Sequence, residues 1–313
     1  MSVVLDIVLP VFGVVGLGYG ATRVGWFSGD AESGLAKYVF DFAVPLMLLR
    51  TLATAELPET VPWGFFGSYY LSAAFVFCLG FLIARYGFRR TSGGQAITGF
   101  GFSYSNAVLL GLPLIMTTYG EEAELPFFIL LSMHGLSFFT LMTLLLELDR
   151  QASSGPRREM ALQIGRSLVT NPILLGIFVG LCFNLGPVSL PQPIEEICAL
   201  MQQSVTPCAL FSLGASLTRY GIAGRLFQSS VVVVAKTVLM PALVFVLATY
   251  VFHIEPLWTQ VAVLMAAQPS GVMTYVFAKK YGVGQAIATT SIFLSTTSSL
   301  VTLSIILYLF DVR

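Results

Sequence analysis

Two short polar runs interrupt long apolar stretches of the chain: Ser103-Tyr104-Ser105-Asn106 and Gln268-Pro269-Ser270-Gly271. Asn and Ser favour helix N-caps over helix interiors, because their side chains bond nearby backbone groups. Proline deletes one helical N–H bond, and glycine lowers the cost of unwinding. A helix broken at either run restarts with free N–H groups. Such an N-terminus carries partial positive charge and holds anions such as carboxylates. Ser105, Asn106, Gln268, Pro269 and Ser270 are therefore the candidate substrate-binding residues, and the ligand that suits them is a small organic anion.

Three ionisable side chains fall within apolar stretches and are candidates for ion coupling or fixed charge: Lys236, Asp41 and His134. A Lys or Asp at the centre of a membrane helix costs about 2.5–3.5 kcal/mol on insertion scales, so each asks for a partner or a task. Lys37 and Asp41 stand i, i+4 and can pair on one helix face. His134, within SMHGLSFF, reads as a hydrogen-bonded core histidine, with a proton relay as the sharper alternative. Arg50 reads as an interface anchor. Intramembrane aspartyl proteolysis needs two acids where only Asp41 stands, and neither HExxH nor GxxxxGK[ST] occurs. The four cysteines (Cys78, Cys182, Cys198, Cys208) show no ligand spacing and read as buried thiols packed as small hydrophobes. No metal and no cofactor is expected, and the chain is not read as an enzyme.

The elements that must position these residues follow from composition. Of 313 residues, 10% are charged and 56% hydrophobic, with 16 basic and 16 acidic side chains. Soluble domains run near a quarter charged, and nucleic-acid binders need a basic stripe; the chain is instead an all-α integral membrane protein. Seven windows free of charge can cross a bilayer: 60–84, 91–120, 125–146, 167–194, 197–218, 256–278 and 281–310. Three more, 3–21, 33–54 and 226–250, carry one to three charges each, giving ten predicted spans. Alternate connections collect twelve Lys and Arg: Arg23; Arg85, Arg89, Arg90; Arg150, Arg157, Arg158, Arg166; Arg219, Arg225; Lys279, Lys280. The opposite connections, Glu56–Pro62, Glu121–Leu125, Gly186–Pro191 and His253–Pro256, hold none. The positive-inside rule then puts both termini outside a cell inner (plasma) membrane. Trp26, Trp63 and Trp258 occupy aromatic-belt positions.

Adding 162 to Pro10, Gly18 and Pro45 gives Pro172, Gly180 and Pro207, and an offset of 164 brings Ser105-Asn106 onto Pro269-Ser270. Five spans per unit make the second unit enter from the other face, so the expected architecture is a 5+5 inverted repeat: residues 1–150, a cytoplasmic linker at 151–163, and residues 164–313. Inverted repeats with broken helices are typical of secondary transporters, whose site lies at the repeat interface. The Ser/Thr-rich TTSIFLSTTSS of 289–299 allows close helix packing.

Five stretches carry a resemblance: FDFAVPLMLL, SNAVLLGLPLI (105–115), NPILLGIFVGL (171–181), TPCALFSLGASL (206–217) and AAQPSGVMTYVFAKKYG (266–282). They resemble the auxin efflux carrier family, which includes plant auxin exporters and bacterial malonate or malate permease-like carriers. The resemblance implies a fold like that of the bile-acid symporters. Spans 1, 2, 6 and 7 would form a scaffold, expected to make a homodimer. Spans 3–5 and 8–10 would form a moving transport domain in which spans 4 and 9 cross. It implies secondary-active or facilitative transport, by alternating access, of a carboxylate such as malonate, malate or an auxin-like acid. In plant members the fourth-span break is a Pro-Asn pair; here it is Ser105-Asn106, so the asparagine is kept and the proline is not. Their third-span acid is absent, while the eighth-span lysine is present as Lys236. Sodium-driven relatives hold a cation beneath the crossing, which an ammonium there would replace. The alternative is a sodium-coupled organic anion symporter of bile-acid type.

Overall fold

The computed structural model describes residues 2–55, 63–151, 170–186 and 188–310. The linker from 152 to 163, the connection 56–62, and Arg157, Arg158, Arg166 and Arg313 lie outside the described residues. Every regular element among the described residues is helical, and one isolated antiparallel bridge pairs Ser105 with Ser270.

Helix α1 is Ser2–Arg23. Helix α2, Gly29–Tyr38, continues through a π-helical turn at Val39–Ala43 into α3, Val44–Thr54. Helix α4 is Trp63–Leu82 and α5 is Ser92–Ser103. A π turn at Ala107–Gly111 opens α6, Leu112–Tyr119, and α7 is Glu124–Gln151. Helices α8, Pro172–Leu185, and α9, Gln192–Leu217, follow. Helix α10, Leu226–Val234, runs through the π turn Ala235–Leu239 into α11, Met240–Val246. Helices α12, Pro256–Ala267, α13, Met273–Tyr281, and α14, Gln285–Leu309, complete the chain.

Among the described residues, five continuous helical runs are long and apolar enough to cross a membrane: Trp63–Gly87, Ala107–Asp149, Gln192–Leu217, Leu226–Val251 and Gln285–Leu309. Ile7–Arg23, Pro172–Leu185 and Pro256–Ala267 are apolar but shorter. The predicted fourth and ninth spans fall short as single helices because each is cut in two, at Tyr104–Asn106 and at Gln268–Gly271. Local signals in the chain set several starts. Asn171 accepts from the N–H of Ile173 (3.0 Å) and of Leu174 (3.4 Å), with Pro172 opening α8. Thr91 likewise accepts from Gly94 at the start of α5.

Two helix pairs approach very closely, and glycine makes both possible. A Cβ on Gly18 of α1 would lie 2.1 Å from the Phe211 carbonyl oxygen of α9, and one on Gly214 would lie 1.9 Å from that of Val15. In the other pair, a Cβ on Gly180 of α8 would lie 2.8 Å from the Leu49 carbonyl oxygen of α3, and one on Gly176 would lie 2.4 Å from that of Pro45. Small residues are the usual means by which helix backbones touch in a membrane, where no hydrophobic force draws helices together.

A polar network joins these paired helices to α7. Thr51 donates to Glu124 Oε2 (2.6 Å), Gln202 Nε2 to Glu124 Oε1 (3.0 Å) and Arg50 Nη1 to Gln202 Oε1 (2.9 Å). Arg50 also lies 3.7 Å from Glu195, so it anchors helices to one another. Two expectations need correction. Cys78 and Cys182 are exposed on the protein surface and only Cys198 is fully buried, because apolar helices of a membrane protein turn small hydrophobes outward as readily as inward. The ion pairs among the described residues are Arg50–Glu195 and Arg219–Glu32, so Lys37 and Asp41 do not close their i, i+4 pair.

Candidate functional site: a crossing of two broken helices

Helix α5 ends at Ser103, where Tyr104 turns extended (φ −82°, ψ 119°), and the chain re-enters helix after Asn106 (φ −76°, ψ 62°). Helix α12 ends at Ala267, and Gln268 is extended (φ −56°, ψ 147°), the conformation that a following proline favours. The two extended segments lie antiparallel. Asn106 N–H donates to the Pro269 carbonyl (2.9 Å) and Gly271 N–H donates to the Tyr104 carbonyl (2.9 Å). Unwound backbone in hydrocarbon must find partners for its polar groups, and here each break supplies them to the other. Gly271 allows the contact. A Cβ there would meet the Tyr104 ring at 2.4 Å and the Ser105 carbonyl oxygen at 3.0 Å.

Lys236, in the π turn between α10 and α11, is fully buried next to this crossing. Its ammonium donates to Ser105 Oγ (3.0 Å) and to the Ala266 carbonyl, an end carbonyl of α12. Both acceptors are groups left over by the broken helices, and the cation neutralises the partial negative charge of a helix C-terminus. His134, on α7, is also buried. Ser105 N–H donates to its Nε2 (3.3 Å), so that nitrogen is unprotonated. Its Nδ1–H then faces Tyr69 Oη (3.4 Å), and the Tyr69 and Ser105 hydroxyls share a hydrogen bond (3.2 Å). Ser105 Oγ is thus bonded to both Lys236, from which it accepts, and Tyr69.

A cavity of about 340 Å³ opens beside the crossing, lined among others by Asp41, Tyr104, Ser105, Asn106, His134 and Asn171. The Asn106 amide nitrogen is buried and has no hydrogen-bond partner, and Asn106 makes no side-chain cap to the helix it precedes. Unpaired buried donors are rare, since each costs its desolvation.

The five candidate substrate residues therefore divide. Ser105 and Asn106 line the cavity, while Gln268, Pro269 and Ser270 form the crossing without lining it. Ser270 is turned inward: its hydroxyl donates to the Gly101 carbonyl (2.7 Å) and its N–H to Ser295 Oγ (3.1 Å). Helix α13 starts at Met273 behind Val272, so Ser270 sits ahead of that helix rather than at its cap. Lys236 is one hydrogen bond removed from the cavity through Ser105; Asp41 lines it from the π turn joining α2 and α3. Sequence reasoning missed Tyr69, Tyr104 as a lining ring, and Ser295. Tyr104 stacks on His134 with ring centroids 4.6 Å apart, a contact no spacing along the chain announces.

A family model described as "Membrane transport protein" matches residues 3–307. The chain is 27% identical over 316 residues to the putative malonate transporter of Rhizobium meliloti (strain 1021), covering 99% of this chain and 96% of that protein. It is 24% identical over 340 residues to auxin efflux carrier component 8 of Arabidopsis thaliana, covering 92% of each. An uncharacterized transporter of Methanocaldococcus jannaschii is 23% identical over 316 residues, covering 96% of this chain and 97% of that protein. With its apolar helices and its match along nearly the whole length, the chain belongs to the membrane transport protein family of auxin efflux carriers and malonate transporters, and is a multi-pass membrane transporter rather than an enzyme.

Proposed function

We propose that the protein carries a small organic anion by alternating access, with the substrate carboxylate held at the crossing by the Asn106 amide and the Ser105 hydroxyl. The observation that carries this reading is the Asn106 amide nitrogen, buried beside the cavity with both hydrogens unused. The free N–H groups at the start of the Ala107–Gly111 turn add partial positive charge, and Lys236 adds a full charge one bond behind Ser105. A malonate-type dicarboxylate or a monocarboxylate of auxin type fits this donor set, and the names of two relatives point the same way.

The finer architecture belongs to the same proposal: ten crossings in a 5+5 inverted repeat, divided at the 151–163 linker, with both termini outside a plasma membrane. Reciprocal packing supports it. Gly18 meets Phe211 while Gly180 meets Leu49, and both partners of this exchange differ by the offset of 162 read from the sequence. In this reading α1, α2–α3, α8 and α9 form the scaffold, through which two copies dimerise, and α4–α7 with α10–α14 form the moving domain. The Glu124 contacts with Thr51 and Gln202 would then be broken and remade as the domain moves.

The test is direct binding of malonate and of an aromatic monocarboxylate to purified protein. Asn106→Ala is expected to weaken binding at least about tenfold, since hydrogen bonds to a charged group are worth about 1.5–3 kcal/mol. Stability should not fall, because no protein partner is lost. Wild-type affinity in a folded Asn106→Ala protein would defeat the reading. A second reading, sodium-coupled symport, is favoured by the buried Gln268 Oε1 and Thr274 Oγ1 near the crossing, oxygens without hydrogen-bond partners that suit an alkali cation. Uptake into proteoliposomes with sodium replaced by potassium separates the two: strict sodium dependence selects the symporter.

A further inference from the structure

The lining of the cavity beside the crossing combines two chemically opposite kinds of group. Asn106 offers an unpaired amide donor. The same lining includes Asp41, half-buried on the π turn Val39–Ala43 and without a hydrogen bond or ion pair to any described residue. An ionised carboxylate is an acceptor only, so it calls for a donor. Among the described residues, the lining holds no Lys or Arg that could supply one. Lys37, a turn earlier on the same helix, is exposed and unpaired with it. Of the helices packed on this turn, α8 carries no charged residue; α9 carries Glu195 and Glu196 in its first turns, where Glu195 pairs with Arg50. In the same lining, His134 and Tyr104 are the titratable side chains that α7 and the crossing contribute. His134 is already bonded at both ring nitrogens, so Asp41 faces the cavity as an unmatched acid.

A fully ionised dicarboxylate in this space would set its second carboxylate against Asp41, and like charges in a confined, poorly screened cavity disfavour that state. Resting on the anion reading above, we infer that Asp41 selects the substrate as its monoanion: one carboxylate toward Asn106, and a protonated carboxyl donating its hydrogen bond to Asp41. The proton comes from solution on the loading side and leaves with the substrate on the other, so each dicarboxylate crosses with one proton. No bond other than this O–H is made or broken.

The test uses the purified full chain and malonate, with calorimetric titrations in buffers of different ionisation enthalpy to count protons taken up on binding. Above the second ionisation of malonate, the wild type should take up one proton per malonate bound, and its affinity should fall about tenfold per pH unit. Asp41→Asn, whose amide can donate to the dianion, should take up almost none and lose that slope. Asp41→Glu should keep both, which guards against misfolding of the amide variant. Monomethyl malonate, a monoanion without an acidic proton, should bind with no proton uptake in either protein. Equal proton uptake in wild type and Asp41→Asn, or malonate binding to wild type without uptake, overturns the inference alone. If malonate fails to bind, or binds Asn106→Ala as well as wild type, the anion reading falls and takes this one with it.

Discussion

The break at Tyr104-Ser105-Asn106 contains no proline, whereas the break at Gln268-Pro269-Ser270 is built around one, yet both helices stop and restart beside each other. The second is unwound by local chemistry, since proline forbids a helical bond and biases Gln268 to the extended conformation. The first is unwound by its surroundings. Its polar groups are taken up by Pro269, Gly271, His134, Lys236 and Tyr69, all distant in sequence. A proline is thus one way to break a membrane helix, and a set of tertiary partners is another.

The harshest way to break this comparison is to force the two segments apart. Gly271→Val puts carbon into the Tyr104 ring, and overpacking of this kind costs about 1–3 kcal/mol. Transport should be abolished and thermal stability should drop; a variant that carries substrate normally would show that the close contact is dispensable. Lys236→Met comes next. It removes the ammonium from Ser105 Oγ and the Ala266 carbonyl, leaving two buried acceptors without that donor. Transport should fall at least about tenfold and the melting temperature should drop, since the lost charge-assisted bonds are worth about 1.5–3 kcal/mol. Unaltered transport would make the lysine a tolerated passenger.

Ser105→Pro sharpens the comparison, because it restores the Pro-Asn pair of the plant members. Tyr104 already has the extended backbone that precedes a proline. The substitution nevertheless deletes the N–H given to His134 and the hydroxyl shared by Lys236 and Tyr69. Substrate binding should weaken about tenfold, with each lost bond worth about 1 kcal/mol. Improved binding would mean that the proline matters more than the network. Pro269→Ala should do least. The bond to Asn106 uses the carbonyl of Pro269, not its ring, and alanine keeps it. Stability should change by about 1 kcal/mol or less through unfolded-chain entropy, with transport within a few-fold of wild type. Collapse of transport would show that the ring itself holds the break open.

Much of this molecule was legible in order. The charge-free windows marked the apolar helices, while the cap that Asn171 makes at the start of α8 came only with the structure. The polar runs located both breaks to within a few residues, because Ser, Asn, Gly and Pro act on their own backbone. Ser270 shows the limit. Its type and position matched Asn106, yet its hydroxyl and N–H are committed to Gly101 and Ser295, away from the cavity. Among the hydroxyls of 289–299, Ser295 was no more conspicuous than its neighbours until packing placed it under Ser270. Tyr69 and Tyr70 adjoin in sequence, but only Tyr69 reaches Ser105 and His134; Tyr70 donates to the Leu130 carbonyl instead.

The sequence by itself determined the class of the protein, its apolar helices and the two points where they fail, since these depend on local properties: transfer energies, backbone bonding and charge counts. It also marked Lys236 and Asp41 as costly residues. Only the tertiary structure decided that Lys236 serves the crossing from behind Ser105 while Asp41 faces the cavity unmatched, and that the Lys37 pairing is not used. Those outcomes depend on which groups from distant segments arrive within hydrogen-bonding distance, about 3 Å, of each other. Spacing along one chain fixes the face of a helix, but the neighbour it meets is fixed by how all the helices pack.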